Sequence, residues 1–187
     1  MEQLDALALA SSHFVSVLDR VRADQLGAPT PCEEWDVRAL LRHVSAGGDM
    51  AIALLDGASA EEARSYFTQE YSDAVSACRD SVAAQRTRMD AVTDWGLVVH
   101  HVVGDVPASQ LLGFRIADLT LHSWDLATAI GADTRLPDDL AALAYEQMKP
   151  MESFIGEIGM FGTGPSGSVD EGADAQRRLL DLSGRRP

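Results

Sequence analysis

Apolar residues recur at helical spacing along most of the chain. Leu4, Leu7, Ser11, Phe14, Leu18 and Val21 alternate steps of three and four, which predicts a first helix over 3–24. The stretch GAPTPCEEW, from Gly27 to Trp35, interrupts that pattern with two prolines. Asp36 then stands where a helix N-cap belongs. Val37, Leu40, Leu41, Val44, Ala51 and Leu55 form the next stripe, over 36–56. A third helix is predicted over 60–90, with Phe67, Tyr71, Ala74, Cys78, Val82 and Met89 facing inward. Within that stripe Cys78 reads as a small buried apolar residue.

Between Trp95 and Val106 the period changes to a β-branched run, LVVHHVV, followed by Gly104-Asp105. A short strand or an extended crossover fits there. A fourth helix over 108–130 starts around Pro107 to Ser109 and ends at Gly131, a natural C′ residue. A fifth over 138–158 begins at Pro137-Asp138 and carries Leu140, Leu143, Ala144, Met151, Phe154, Ile155 and Ile158. Pro150 inside it predicts a kink. From Phe161 the chain turns rich in Gly, Pro, Ser and Asp, then ends on a short amphipathic segment, DAQRRLLDLSG. No repeat and no internal boundary is visible. Four long helices and one long crossover predict an all-α bundle, a single domain over 1–187 with the 161–187 tail packed on or beside it.

Composition narrows the setting. The 187 residues are 46% hydrophobic, enough for one domain with a real core. No apolar run approaches the ~20 residues of a membrane span, and the start, MEQLDALALASSHF, is acidic and amphipathic, unlike a signal peptide. A cytoplasmic location is therefore expected. The formal charge of -14 argues against nucleic acid or an anionic membrane as partner. Two cysteines do not make a disulfide framework in a chain of this size. Lys149 is the only lysine among 15 basic residues, a bias that fits a high-GC genome better than any chemistry.

On the fourth helix, Leu111, Arg115, Asp118, His122, Asp125 and Ala129 fall on one stripe, beside the core stripe of Leu112, Ile116, Leu119, Leu126 and Ile130. Asp118 and His122 thus stand one turn apart at the edge of the apolar face, where a carboxylate and an imidazole can reach one ion. An exposed acid–histidine pair would show the same spacing. His43 tips the balance, because it shares a face of the second helix with Leu40, Gly47, Met50 and Leu54 and also points inward. Gly47 and Gly48, costly in a helix interior, imply close packing or room for a bound group. Of His100 and His101, alternating on the β-branched run, at most one faces inward. His13 has no assignable partner. Cys32 precedes the second helix and could approach the site, but it reads better as a loop residue, since Pro31-Cys32-Glu33 lacks the spacing of any cysteine metal motif. There is no phosphate loop, nucleophile elbow or CxxC.

Taken together, TPCEEWDVRALLRHV, LGFRIADLTLHSWDLATAIG and the ending MFG…DAQRRLLDLSGRRP resemble one family. It is the actinobacterial metal-binding branch of the DinB / mycothiol-dependent maleylpyruvate isomerase superfamily. The resemblance implies a DinB-like four-helix bundle with a long crossover and extra C-terminal helical segments. It also implies a metal on one histidine of the second helix and an acid–histidine pair four apart on a later one, here His43, Asp118 and His122. The family's isomerase has glutamate at the position of Asp118 and a second, C-terminal domain; this chain has the short tail from Phe161.

Two imidazoles and a carboxylate leave at least one position open on the metal. Zn2+ fits the set best, and Ni2+, Fe2+ or Mn2+ also accept it. The resemblance implies mycothiol, or a similar low-molecular-weight thiol, activated for transfer or isomerisation of an electrophilic substrate. Arg115 and Asp125 are candidates for orienting an imidazole or steering an anion, and a surface salt bridge explains both about as well. A homodimer is compatible with the sequence. The rival reading is a non-catalytic metal-binding bundle with a structural or stress-sensing role.

Overall fold

The computed structural model describes residues 1–155, 164–170 and 172–186. Helix α1 (Gln3–Leu18) buries Leu7, Phe14 and Leu18. It is shorter than its periodicity predicts. After Leu18 the chain turns, and a separate 3-10 turn at Ala23–Gln25 closes on itself through Arg22 N–H donating to the Gln25 side chain. Helix α2 (Val37–Leu55) starts as expected, with Asp36 accepting from the Ala39 N–H at 2.8 Å.

The helix expected over 60–90 is two. Ser59 and Glu62 form a capping box at the start of α3 (Ala60–Ser65), which passes into a 3-10 turn at Tyr66–Thr68. Asp73 then accepts from the N–H groups of Val75 and Ser76 and starts α4 (Ala74–Asp90). Two competing N-caps thus split one apolar stripe. Tyr71 falls in the gap and donates its hydroxyl to Asp49 at 2.9 Å, while Phe67 is 37% exposed; neither joins the core as expected. Cys78 does, and burial pushes its thiol pKa up to about 12.

The β-branched run is a hairpin. Strands β1 (Val98–His101) and β2 (Gly104–Pro107) pair antiparallel in register Val99↔Val106 and His101↔Gly104. Val99 and His101 face inward, Val98 and His100 outward. Helix α5 (Ala108–Ile130) follows and stops at Gly131, whose φ of +68° no β-carbon residue adopts cheaply. Helix α6 (Asp138–Met148) gives way at Pro150 to a 3-10 turn, Lys149–Met151, and a single turn of helix, α7 (Glu152–Ile155). The predicted positions 156–158 and Phe161 lie outside the described residues. Helix α8 (Ala175–Leu182) is the amphipathic end of the tail.

Four of these helices form a ring in which α1 and α2 each pack against both α4 and α5. Helix α6 lies on the outside of α5, and α8 packs on α6. Leu112, Ile116, Leu119 and Leu126 of α5 enter the main core. Its opposite side, Ala117, Leu121 and Trp124, enters a second cluster with Leu136, Ala144, Met148, Leu179 and Leu180. Helix α5 is therefore buried on two sides, and Arg115, Thr120, His122, Ser123 and Asp125 along it are enclosed. No helix among the described residues is long and apolar enough to cross a membrane.

Two glycines let α2 approach its neighbours. A β-carbon at Gly48 would lie 2.4 Å from Ser81 Oγ on α4, and one at Gly47 would lie 2.3 Å from an Arg115 guanidinium nitrogen on α5. Gly113, by contrast, has nothing closer than 3.6 Å, an ordinary contact with Gln147. Alanine normally stabilises a helix interior relative to glycine, so the two positions should respond with opposite sign. Gly113→Ala should gain about 0.5–1 kcal/mol. Gly47→Ala should lose about 1–3 kcal/mol, because it displaces a buried guanidinium from its partners. Urea unfolding followed by circular dichroism measures both.

Candidate metal centre

Two turns into α2, His43 points between α2 and α5, and from α5 the consecutive turns bring Arg115, Asp118, His122 and Asp125 to the same place. His43 Nε2 lies 3.1 Å from Asp118 Oδ1, and His122 Nε2 lies 3.4 Å from the same oxygen. The three residues read from helical spacing therefore converge on one point, with their donor atoms within 4.8 Å of one another. The other Asp118 oxygen is taken: Arg115 donates to Oδ2 at 3.0 Å. Arg115 is itself held by Gln85 Oε1 at 2.5 Å and by the Val44 carbonyl at 3.4 Å, in the space that Gly47 leaves.

The far side of the His122 ring is fixed as well. Nδ1 lies 2.9 Å from Asp125 Oδ2, and Asp125 is fully buried. Arg185, from the end of the tail, donates Nε to Asp125 Oδ1 at 2.8 Å and a terminal nitrogen to Oδ2 at 2.6 Å. The Cys32 thiol donates to Oδ2 at 3.3 Å. Cys32, His122 and Asp125 are also close enough to hold an ion. That set is a poorer host, since a guanidinium already occupies both carboxylate oxygens.

The loop before α2 closes over the rings. An isolated bridge joins Pro29 to Asp36, Thr30 Oγ1 accepts from Cys32 N–H and donates to the Trp35 carbonyl, and Glu34 takes a φ of +65°. This tight turn sets Trp35 with its ring centroid 4.7 Å from His43 and 5.9 Å from His122. Phe67 lies 5.7 Å from His43 on another side. The His43 and Asp118 side chains remain 26% and 21% exposed, so the convergence point reaches solvent, whereas His122 is 8% exposed.

Burial opposes charge throughout the site and is overcome where a partner is close. Asp118 loses solvation, yet Arg115, His122 and His43 hold its carboxyl well below the usual range. His122 is desolvated too, but the Asp118 charge and hydrogen bonds to Asp118 and Asp125 raise its pKa well above 6.5. His43 shifts the other way: burial lowers its pKa, and Asp118 offsets only part of that. Asp125 is lowered against its own burial by Arg185 and then by His122.

The remaining sequence candidates lie elsewhere. His100 is exposed on the hairpin, with Nδ1 2.8 Å from Asp105. His101 is buried with its ring 5.3 Å from Phe114 and its Nδ1 accepting the Val103 N–H. His13 is half-buried on α1. None of them belongs to either metal-capable group among the described residues. Helical spacing does not single out Arg185, Trp35 or Phe67 as site neighbours, whereas Cys32, a loop residue that could approach the site, does reach it. The TPCEEW block is a signal for Cys32 and Trp35, and the closing DAQRRLLDLSGRRP block contains Arg185 without pointing to its partner.

Comparison with known proteins agrees with this architecture. The family described as "Mycothiol maleylpyruvate isomerase N-terminal domain" matches residues 7–127. Uncharacterised proteins from two strains of Mycobacterium tuberculosis are each 32% identical over 156 residues, spanning 83% of this chain and 81% of theirs. Among solved structures, that of the mycothiol-dependent maleylpyruvate isomerase superposes with a TM-score of 0.63 at 21% identity, covering 91% of this chain and 72% of that one. A histidine-to-alanine variant of the same enzyme gives 0.65 at 19% identity, with the same coverage. The profile match spans well over half of the chain and includes α1 through most of α5, so this protein belongs to the mycothiol maleylpyruvate isomerase N-terminal domain family, within the DinB-like superfamily.

Proposed function

We propose that the protein is a metal-dependent enzyme of thiol chemistry, holding one divalent ion on His43, Asp118 and His122. One observation carries this reading: both imidazole Nε2 atoms meet the same carboxylate oxygen, at 3.1 and 3.4 Å. Donors about 2.0–2.1 Å from a tetrahedral zinc ion are about 3.3–3.4 Å apart, which both of these separations approach. When bound, such an ion supplies positive charge that favours the thiolate form of a small thiol.

The chain's own groups do the rest. Arg115 keeps Asp118 Oδ2 occupied, so Asp118 offers one oxygen and the protein contributes three donor atoms. Asp125 receives His122 Nδ1–H, which leaves Nε2 with a free lone pair once the ring is neutral. Trp35 and Phe67 wall the open side with apolar surface that limits water around a reacting thiol. The partial exposure of His43 and Asp118 favours a catalytic site over a sealed structural ion. The thiol class follows from the neighbouring enzyme, which is described as mycothiol-dependent. The co-substrate is a small electrophile, and the reaction is thiol-dependent transfer or isomerisation.

Purified protein should carry a stoichiometric divalent metal, zinc foremost, and His122→Ala should lose it while keeping its helical circular dichroism. Adding mycothiol to cobalt-loaded protein should produce a sulfur-to-metal charge-transfer band that His43→Ala eliminates. If no small thiol gives that band at millimolar concentration, the thiol reading fails and bare metal binding is left.

A pH dependence follows from His122. Its pKa is raised above 6.5, so at neutral pH the metal-free ring carries a proton that an incoming ion must expel. Zinc affinity should therefore climb as pH rises through neutrality and level off above the His122 pKa. Titration calorimetry in buffers of different ionisation enthalpy should register the released proton.

A further inference from the structure

We propose that Arg185, delivered by the C-terminal turn of the chain, is a positioning residue that sets the orientation of the His122 ring. A carboxylate three residues along a helix from an imidazole can take several rotamers, and something must select the one that meets Nδ1. Asp125 Oδ1 accepts from Arg185 Nε at 2.8 Å, and Oδ2 accepts from the Arg185 terminal nitrogen at 2.6 Å. A two-toothed guanidinium contact fixes the plane of a carboxylate, which a single point charge does not. The oxygen so fixed, Oδ2, is the one 2.9 Å from His122 Nδ1. Arg185, Asp125 and His122 thus form one line of hydrogen bonds whose far end, His122 Nε2, faces Asp118 Oδ1.

The delivery of Arg185 is built into the end of α8. Gly184 adopts a φ of +76°, its N–H donates to the Asp181 carbonyl, and the Arg185 N–H donates back to Leu180 at 2.8 Å. This reverse-turn cap directs the chain off the helix axis and back towards α5. A terminal guanidinium nitrogen also donates to the Ser183 carbonyl, and the Arg185 side chain is 9% exposed. Leu179, Leu180 and Leu182 seat α8 in the cluster that contains Leu121 and Trp124, the neighbours of His122 on α5. The family match ends at residue 127, so a group from outside the matched region completes the surroundings of the site.

The affinity arm of the test rests on the metal reading above, and a second arm does not. In full-length protein, R185Q should weaken Co2+ binding roughly tenfold to a hundredfold and alter the cobalt ligand-field spectrum. R185K, which keeps charge without the fork, should fall between R185Q and the unaltered protein. In a D125N background, adding R185Q should cost little more, because the two substitutions cut the same line. In metal-free protein, the His122 Nδ1–H should give a slowly exchanging downfield proton resonance that R185Q removes and R185K retains in part. An R185Q protein with that resonance intact and unchanged cobalt affinity would reduce Arg185 to a structural ion pair. If the unaltered protein binds no metal, the metal reading falls, and the proton resonance alone decides the role of Arg185. Should R185Q fail to fold, R185K and D125N carry both arms.

Discussion

One imidazole ring lies between two carboxylates, Asp125 fully buried and Asp118 mostly so, and each is held on its other side by an arginine. Removing an ionised carboxylate from water costs several kcal/mol unless a charged partner and hydrogen bonds replace the lost hydration. Arg115 does this for Asp118, and Arg185 for Asp125. Much of the local sequence serves that constraint. Gly47 is small so that the Arg115 guanidinium fits between α2 and α5, and Gln85 on α4 accepts a hydrogen bond from Arg115 Nε. At the other end, Gly184 turns the chain so that Arg185 arrives beside Asp125.

The enclosure of these charges depends on the double burial of α5. A surface helix with an aspartate–histidine–aspartate row would show it to water, where such contacts are weak. Here the four-helix ring covers one side of α5, while α6 and α8 cover the other. What stays partly open is the point where His43 and Asp118 meet. Rigid elements on both sides hold His43 and His122 in place, with ring centroids 4.9 Å apart. Arg185, just past the end of α8, is thus part of the site's wall.

Sequence periodicity reads one helix at a time, and its successes and failures follow from that. Asp118 and His122 sit four apart on one face, so their alignment was legible, as was the inward direction of His43. Arg115 and Asp125 could be flagged as neighbours because they lie on the same stripe. The break between Thr68 and Ala74 was not legible, since Phe67, Tyr71 and Ala74 keep helical spacing across it. The caps at Ser59 and Asp73 decide the matter, and any Ser or Asp in a helical run presents the same letter. Leu18 to Val21 failed similarly: an apolar residue in register does not require the helix to continue. Arg185 was out of reach for a different reason. Its partner lies 60 positions away on another element, and a contact of that kind leaves no periodic trace.

The charges at the site cancel locally although the chain as a whole carries -14. Asp118 and Asp125 are balanced by Arg115 and Arg185, so neutral histidines would leave the cluster with no net charge. Despite burial, Asp118 and the hydrogen bonds to Asp118 and Asp125 raise the His122 pKa, so the space beside Asp118 Oδ1 favours a positive charge, which a proton can supply. A dication there would displace that proton and bring more charge than the protein has pre-neutralised. The surplus could not be met by Asp118 Oδ2 or by Asp125, whose oxygens are committed to guanidinium groups. It would have to be met by a ligand from solution, and a thiolate supplies both the negative charge and a soft donor atom. The arginines that make two buried carboxylates affordable are then also the reason an ion held by this protein would favour an anionic partner.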